Sequence, residues 1–174
     1  GDWASPLLTF LTIPAVGVFG LRVEVVRGVS AGVGLLAVPV VYRLGVELFR
    51  RRFLGVVAAW YMALSPWHVH RSRFAVPPAI VPTMVALTML VLIWTVNRRS
   101  SRGAMALGLV SGLTMASYPT MKLYIPLLLV VALLVYGDII VRLKWEALGY
   151  ALVVFIVIAG PILYLSILDP AGRA

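Results

Sequence analysis

Long stretches of this chain carry no Lys, Arg, Asp or Glu: Phe53–Val69, Phe74–Asn97, Gly103–Met121, Leu123–Gly137 and Ala147–Leu168. Each is close to the roughly 20 residues that a helix needs to cross a hydrocarbon core about 30 Å thick. In lipid every backbone amide and carbonyl must find its partner within the protein, which leaves helices and closed barrels as spanning structures. Barrel strands alternate lipid-facing and lumen-facing residues, and these runs do not alternate. The spans are therefore expected to be helices. Composition agrees, because 62% of the 174 residues are hydrophobic and 12% are charged, whereas soluble domains are nearer a quarter charged.

The expected fold is all-α: a polytopic transmembrane bundle of about six spanning helices, over Gly28–Phe49, Phe53–Trp67, Pro77–Asn97, Gly103–Ser117, Leu123–Ile140 and Ala147–Leu168. Residues 1–174 are read as one transmembrane domain. The opening stretch Trp3–Leu21 is apolar but contains Pro6 and Pro14. It is read as an interfacial or re-entrant segment, short interfacial helices being favoured, with a membrane span left open. Residues His68–Arg73 are expected to form a polar link, and Tyr118–Lys122 a tight turn. Gly28 with Gly32, and Gly108 with Gly112, have the spacing that lets helix backbones approach.

The net charge of +9 does not point to nucleic acid, because the cations sit in short links between apolar runs, where they set topology and meet anionic lipid. Alternating the links places Arg50, Arg51, Arg52, Arg98, Arg99, Arg102, Arg142 and Lys144 on one side, and Arg22, Arg27, Arg71, Arg73, Lys122 and Arg173 on the other. The larger set is cytoplasmic by the positive-inside rule. The outer side still holds more cations than topology requires, which points to an anionic partner there.

The densest constellation on that outer side is Ser65-Pro66-Trp67-His68-Val69-His70-Arg71-Ser72-Arg73. Guanidinium groups match phosphate oxygens bidentately, so a phosphate site is one reading. Snorkelling to lipid headgroups, with Trp67 in the aromatic belt, is the other. His68 and His70 would diverge on a helix, and no third ligand is near, so no metal site is assigned. Tyr118 and Lys122 form a second outer cluster, read either as part of that site or as a plain turn. Arg22, Glu24 and Arg27 are read as surface ion pairs. The chain has no cysteine, P-loop, Gly-x-Ser-x-Gly or His-Glu-x-x-His. The charge-free helix interiors argue against ion-coupled transport.

These residues resemble a known family. Ala63-Leu64-Ser65-Pro66-Trp67-His68 through Ser72-Arg73 resembles the "LSPWHxxxSR" segment of membrane glycosyltransferases of family thirty-nine, the protein O-mannosyltransferase-like group. Ser5–Leu8, Phe19-Gly20-Leu21, Arg27 and Glu47-Leu48-Phe49 are similar to its upstream pattern, and Gly108–Leu113, Tyr118-Pro119 and Pro126-Leu127 to its downstream one. The resemblance implies a GT-C-type fold in a multi-pass protein of the prokaryotic plasma membrane. It further implies a polyprenyl-phosphate-linked sugar donor and transfer on the extracytoplasmic face to a protein, lipid or glycan acceptor. Arg73 is the first residue expected at the donor phosphate, followed by Arg71, His70, Tyr118 and Lys122. The family's catalytic carboxylate lies in the first outer loop, after the first helix. The chain is expected to be an internal fragment lacking both, so Asp2 would be the tail of that loop and is not assigned the role. No cofactor is assigned, and a divalent metal in the full-length enzyme stays open. The competing readings are a non-catalytic membrane subunit packing through its glycine faces, and a transporter or lipid-flipping module.

Overall fold

A computed structural model describes residues 6–140 and 145–168. Asp2, Arg142, Lys144 and Arg173 lie outside the described residues. Those residues form eight α-helices and no strand, as the charge-free runs require: α1 Pro6–Phe19, α2 Val23–Phe49, α3 Arg52–Leu64, α4 Pro66–Arg73, α5 Val81–Arg98, α6 Ser101–Met115, α7 Met121–Ile140 and α8 Trp145–Leu168. Three of them, α2, α5 and α7, are long and apolar enough to cross a membrane. The outer faces of α2 and α7 carry large exposed hydrophobic side chains, among them Leu35, Leu36, Leu127 and Leu134. Such faces are stable against lipid and not against water.

The chain divides into two compact units, one covering Ser5–Leu90 and the other the described residues from Val91 onward. In the first unit α2 packs against α1, α3 and α4. The opening segment is one helix of 14 residues running through Pro14, where several short pieces were expected. At 1.5 Å per residue it reaches about 21 Å. The turn between α2 and α3 is made of arginines: Arg50 adopts a left-handed conformation (φ 57°), its amide donates to Val46 O, and Arg51 is extended. Below that turn the helix backbones touch. A Cβ added to Gly45 would lie 3.0 Å from Gly55 Cα, and one on Gly55 2.6 Å from Val46 Cγ2. Gly28 and Gly32, expected to pack, have nothing within 4 Å of such a Cβ. The spacing was right for a contact, but the face of α2 that is covered carries Gly34 and Gly45.

The run Phe53–Trp67, expected to be a single span, breaks at Ser65. Proline disfavours the helical conformation in the residue before it, and Ser65 before Pro66 is extended (φ −61°, ψ 113°). The expected polar link His68–Arg73 is itself helical, because Pro66 is suited to the first position of a new helix.

In the second unit α6 packs against α8 and α7. Gly108 lies against the carbonyl oxygen of Ala151, and a Cβ on Gly112 would be 3.0 Å from Ile158, so this glycine pair packs as its spacing predicts. Met115, Ile125 and Ala159 form the core, with Met121, Tyr124, Leu128, Leu129 and Phe155 around it. Two buried hydroxyls bond back to their own helix, Thr95 to Val91 O at 2.6 Å and Thr114 to Val110 O at 2.7 Å. Back-bonding of this kind satisfies a hydroxyl where no water is at hand.

Candidate functional site

The residues expected to meet phosphate stand on α4, and α2 positions that helix. His68 is buried at 7% exposure, and its Nε2 lies 3.0 Å from Gly34 O. A carbonyl only accepts, so Nε2 carries the hydrogen. One turn on, Ser72 covers the same glycine: a Cβ on Gly34 would lie 2.5 Å from Ser72 Cβ. Residues four apart share a face of a helix, so His68 and Ser72 form the stripe of α4 that faces α2, and glycine at position 34 makes room for it. The end of α4 is tied down as well. The carbonyl of Phe74 accepts from Ser30 Oγ at 3.1 Å and from the Val76 amide at 2.8 Å. Thr83 Oγ1 donates to Val33 O at 3.0 Å, fixing the segment that follows.

With that stripe against α2, Trp67, His70 and Arg73 are exposed. Arg71 lies over Trp67, 4.5 Å from the ring. His70 packs on Phe74, with ring centroids 4.8 Å apart. Arg27 of α2 stands over the same Phe74 at 6.0 Å. Two cavities open here, one of about 340 Å³ lined by Trp67, His70, Arg71, Phe74 and Val76, the other of about 280 Å³ lined by Arg27, His70, Arg73 and Phe74. They share His70 and Phe74 as a common wall.

The cluster is strongly basic. His70, Arg71 and Arg73 occupy the last turn of α4, where the helix dipole favours positive charge. None of them, nor Arg27, forms an ion pair among the described residues. Arg27 was expected to pair with Glu24 at the surface. It turns toward His70 and Arg73 because it shares a helix stripe with Ser30 and Gly34, the residues that hold α4. That stripe, Arg27-x-x-Ser30-x-x-x-Gly34, was the sequence signal for a docking face. Phe74, just beyond the motif, was also missed.

Tyr118 and Lys122 lie in the second unit. Tyr118 is half-buried in the α6–α7 turn, and its carbonyl accepts the Met121 amide at 3.0 Å. Lys122 is in the first turn of α7, its amide bonded to Pro119 O at 3.2 Å. The structure thus brings Arg73, Arg71 and His70 together with Arg27. His68 serves packing, and it diverges from His70 as a helix demands. No group of three His, Cys, Asp or Glu side chains suited to a metal occurs among the described residues.

The family model of dolichyl-phosphate-mannose-protein mannosyltransferases matches residues 4–164, a span that includes the whole α2–α4 arrangement. The chain belongs to this family. Membership assigns it to the membrane glycosyltransferases of mannosyltransferase type, consistent with its apolar helices. No curated protein and no solved structure matches the chain.

Proposed function

We propose that this mannosyltransferase-family chain contributes the donor-phosphate site of an enzyme that moves a sugar from a polyprenyl-phosphate carrier to an acceptor on the extracytoplasmic face. The observation that carries the reading is the convergence of Arg27, His70 and Arg73 on one cavity beside Phe74, with Arg71 at the next. A phosphate ester there would meet guanidinium donors that pair with no carboxylate among the described residues. Charge-assisted hydrogen bonds from such donors are about twice as strong as neutral ones. The exposed rings of Trp67 and Phe74 offer apolar surface to the sugar and the first prenyl unit. Tyr118 and Lys122 are proposed as donor contacts on the family resemblance alone. The acid–base residue of the transfer is not assigned to this segment.

Arg73→Ala in the full-length protein tests the reading. Transfer from the polyprenyl-phosphate donor is expected to fall roughly ten- to hundredfold, the range for losing a hydrogen bond to a charged group. Membrane insertion and helical content stay as in the parent. Unchanged transfer would remove the phosphate role.

A further inference from the structure

The second unit holds a cavity unlike those beside α4. It measures about 230 Å³ and is walled by apolar side chains from the end of α5 (Leu92, Val96), from α6 (Ala104, Leu107) and from α8 (Leu152, Phe155). Ser111 lies in its wall with its hydroxyl fully buried and without a hydrogen-bond partner. The neighbouring Thr95 hydroxyl is satisfied by its own helix. A cavity of roughly 150 Å³ already admits a benzene ring, so this one accepts a segment of hydrocarbon chain. It is smaller than the roughly 300 Å³ from which sites for drug-sized molecules begin.

The α5–α6 turn, three residues from Thr95 and two from Ala104, exposes Arg98, Arg99 and Arg102. Two of these stand against local preference. Arg99 is left-handed (φ 48°), a conformation that ordinarily selects glycine. Arg102 lies in the first turn of α6, where the helix dipole disfavours a cation. Asp138 and Glu146 belong to the α7 and α8 ends at this side of the unit, and no ion pair joins them to these arginines among the described residues.

We propose that this is a binding site for one anionic phospholipid, with an acyl chain in the cavity and the phosphate on Arg98, Arg99 and Arg102. A basic turn above an apolar interhelical cavity matches such a molecule at both ends. A basic pocket between membrane helices is a recurrent way to bind anionic headgroups. The site shares no residue with the α4 cluster, all of its residues lying in the second unit.

The test uses the full-length protein in detergent, supplied with equal amounts of phosphatidylglycerol and phosphatidylcholine, with retained lipid counted by native mass spectrometry. Phosphatidylglycerol is expected to be retained roughly tenfold in preference, because phosphatidylcholine offsets the same phosphate with its own cation and is held less strongly by a basic turn. Arg98→Gln with Arg102→Gln is expected to abolish the preference. Ser111→Leu, which fills the deep end of the cavity, should lower retention about fivefold, while Leu109→Phe on the exposed face of α6 leaves it unchanged. Inorganic phosphate at millimolar concentration should not displace the lipid. Equal retention of the two lipids, a preference that survives the double arginine variant, full retention by a folded Ser111→Leu variant, or displacement by inorganic phosphate would each overturn the proposal.

Discussion

The two units hold their helices together in different ways. In Ser5–Leu90, polar side chains reach from one segment to another: His68 to Gly34 O, Ser30 to Phe74 O and Thr83 to Val33 O. From Val91 onward, the hydroxyls of Thr95 and Thr114 fold back on their own helices, and Gly108 and Gly112 bring α6 against the backbone and an aliphatic side chain of α8. Close apolar packing is enough where a helix only has to form a wall. Directional bonds between segments appear where a short helix must present its side chains at a set angle. Here α4 has eight residues, too few for a helix to be stable alone, so its orientation comes from α2.

The largest effect that could break this contrast is expected at Gly108. Gly108→Val would drive a side chain into the Ala151 carbonyl, and over-packing of this kind costs about 3 kcal/mol or more. The thermal midpoint of the purified protein should fall accordingly, and an unchanged midpoint would deny the close α6–α8 contact. At Gly34, substitution by Val presses on Ser72 but leaves the long helices their other contacts. Transfer is expected to drop about tenfold while stability falls by about 1 kcal/mol, so the ratio of the two losses separates a positioning helix from a packing one. The smallest effect belongs to Gly28→Val, with nothing within 4 Å to obstruct it. Its thermal midpoint should match the parent's within the roughly 0.5 kcal/mol typical of surface changes, and a large loss would restore the packing role that its spacing suggested.

Most of the helices could be read from the sequence because lipid demands long apolar stretches and the ends are marked by charge. Less was legible wherever the answer depended on direction. The charge-free run Phe53–Val69 extends past Ser65, where Pro66 interrupts the helix, so lack of charge overstated the length of the span. Gly28 and Gly32 have the same four-residue spacing as Gly108 and Gly112, yet spacing does not say which face of a helix will be covered. Arg71, His70 and Arg73 were found through their motif. Arg27 was not, because its neighbour Phe74 is distant in sequence and the two meet only once α4 has docked on α2. The non-helical residue within α7 is Tyr136 (φ −116°, ψ 15°), just before Gly137, a residue that weakens a helix without fixing where it bends.

The proposed role of the basic end of α4, completed by Arg27, is to hold the donor's phosphate. Its most direct measurement is the affinity of the full-length protein in nanodiscs for a polyprenyl-phosphate sugar, compared with Arg27→Ala and Arg73→Ala singly and together. A loss of roughly tenfold is expected for each arginine, with a double variant that departs from additivity because both side chains line one cavity. Equal affinity across all four proteins, with their helical content intact, would contradict it.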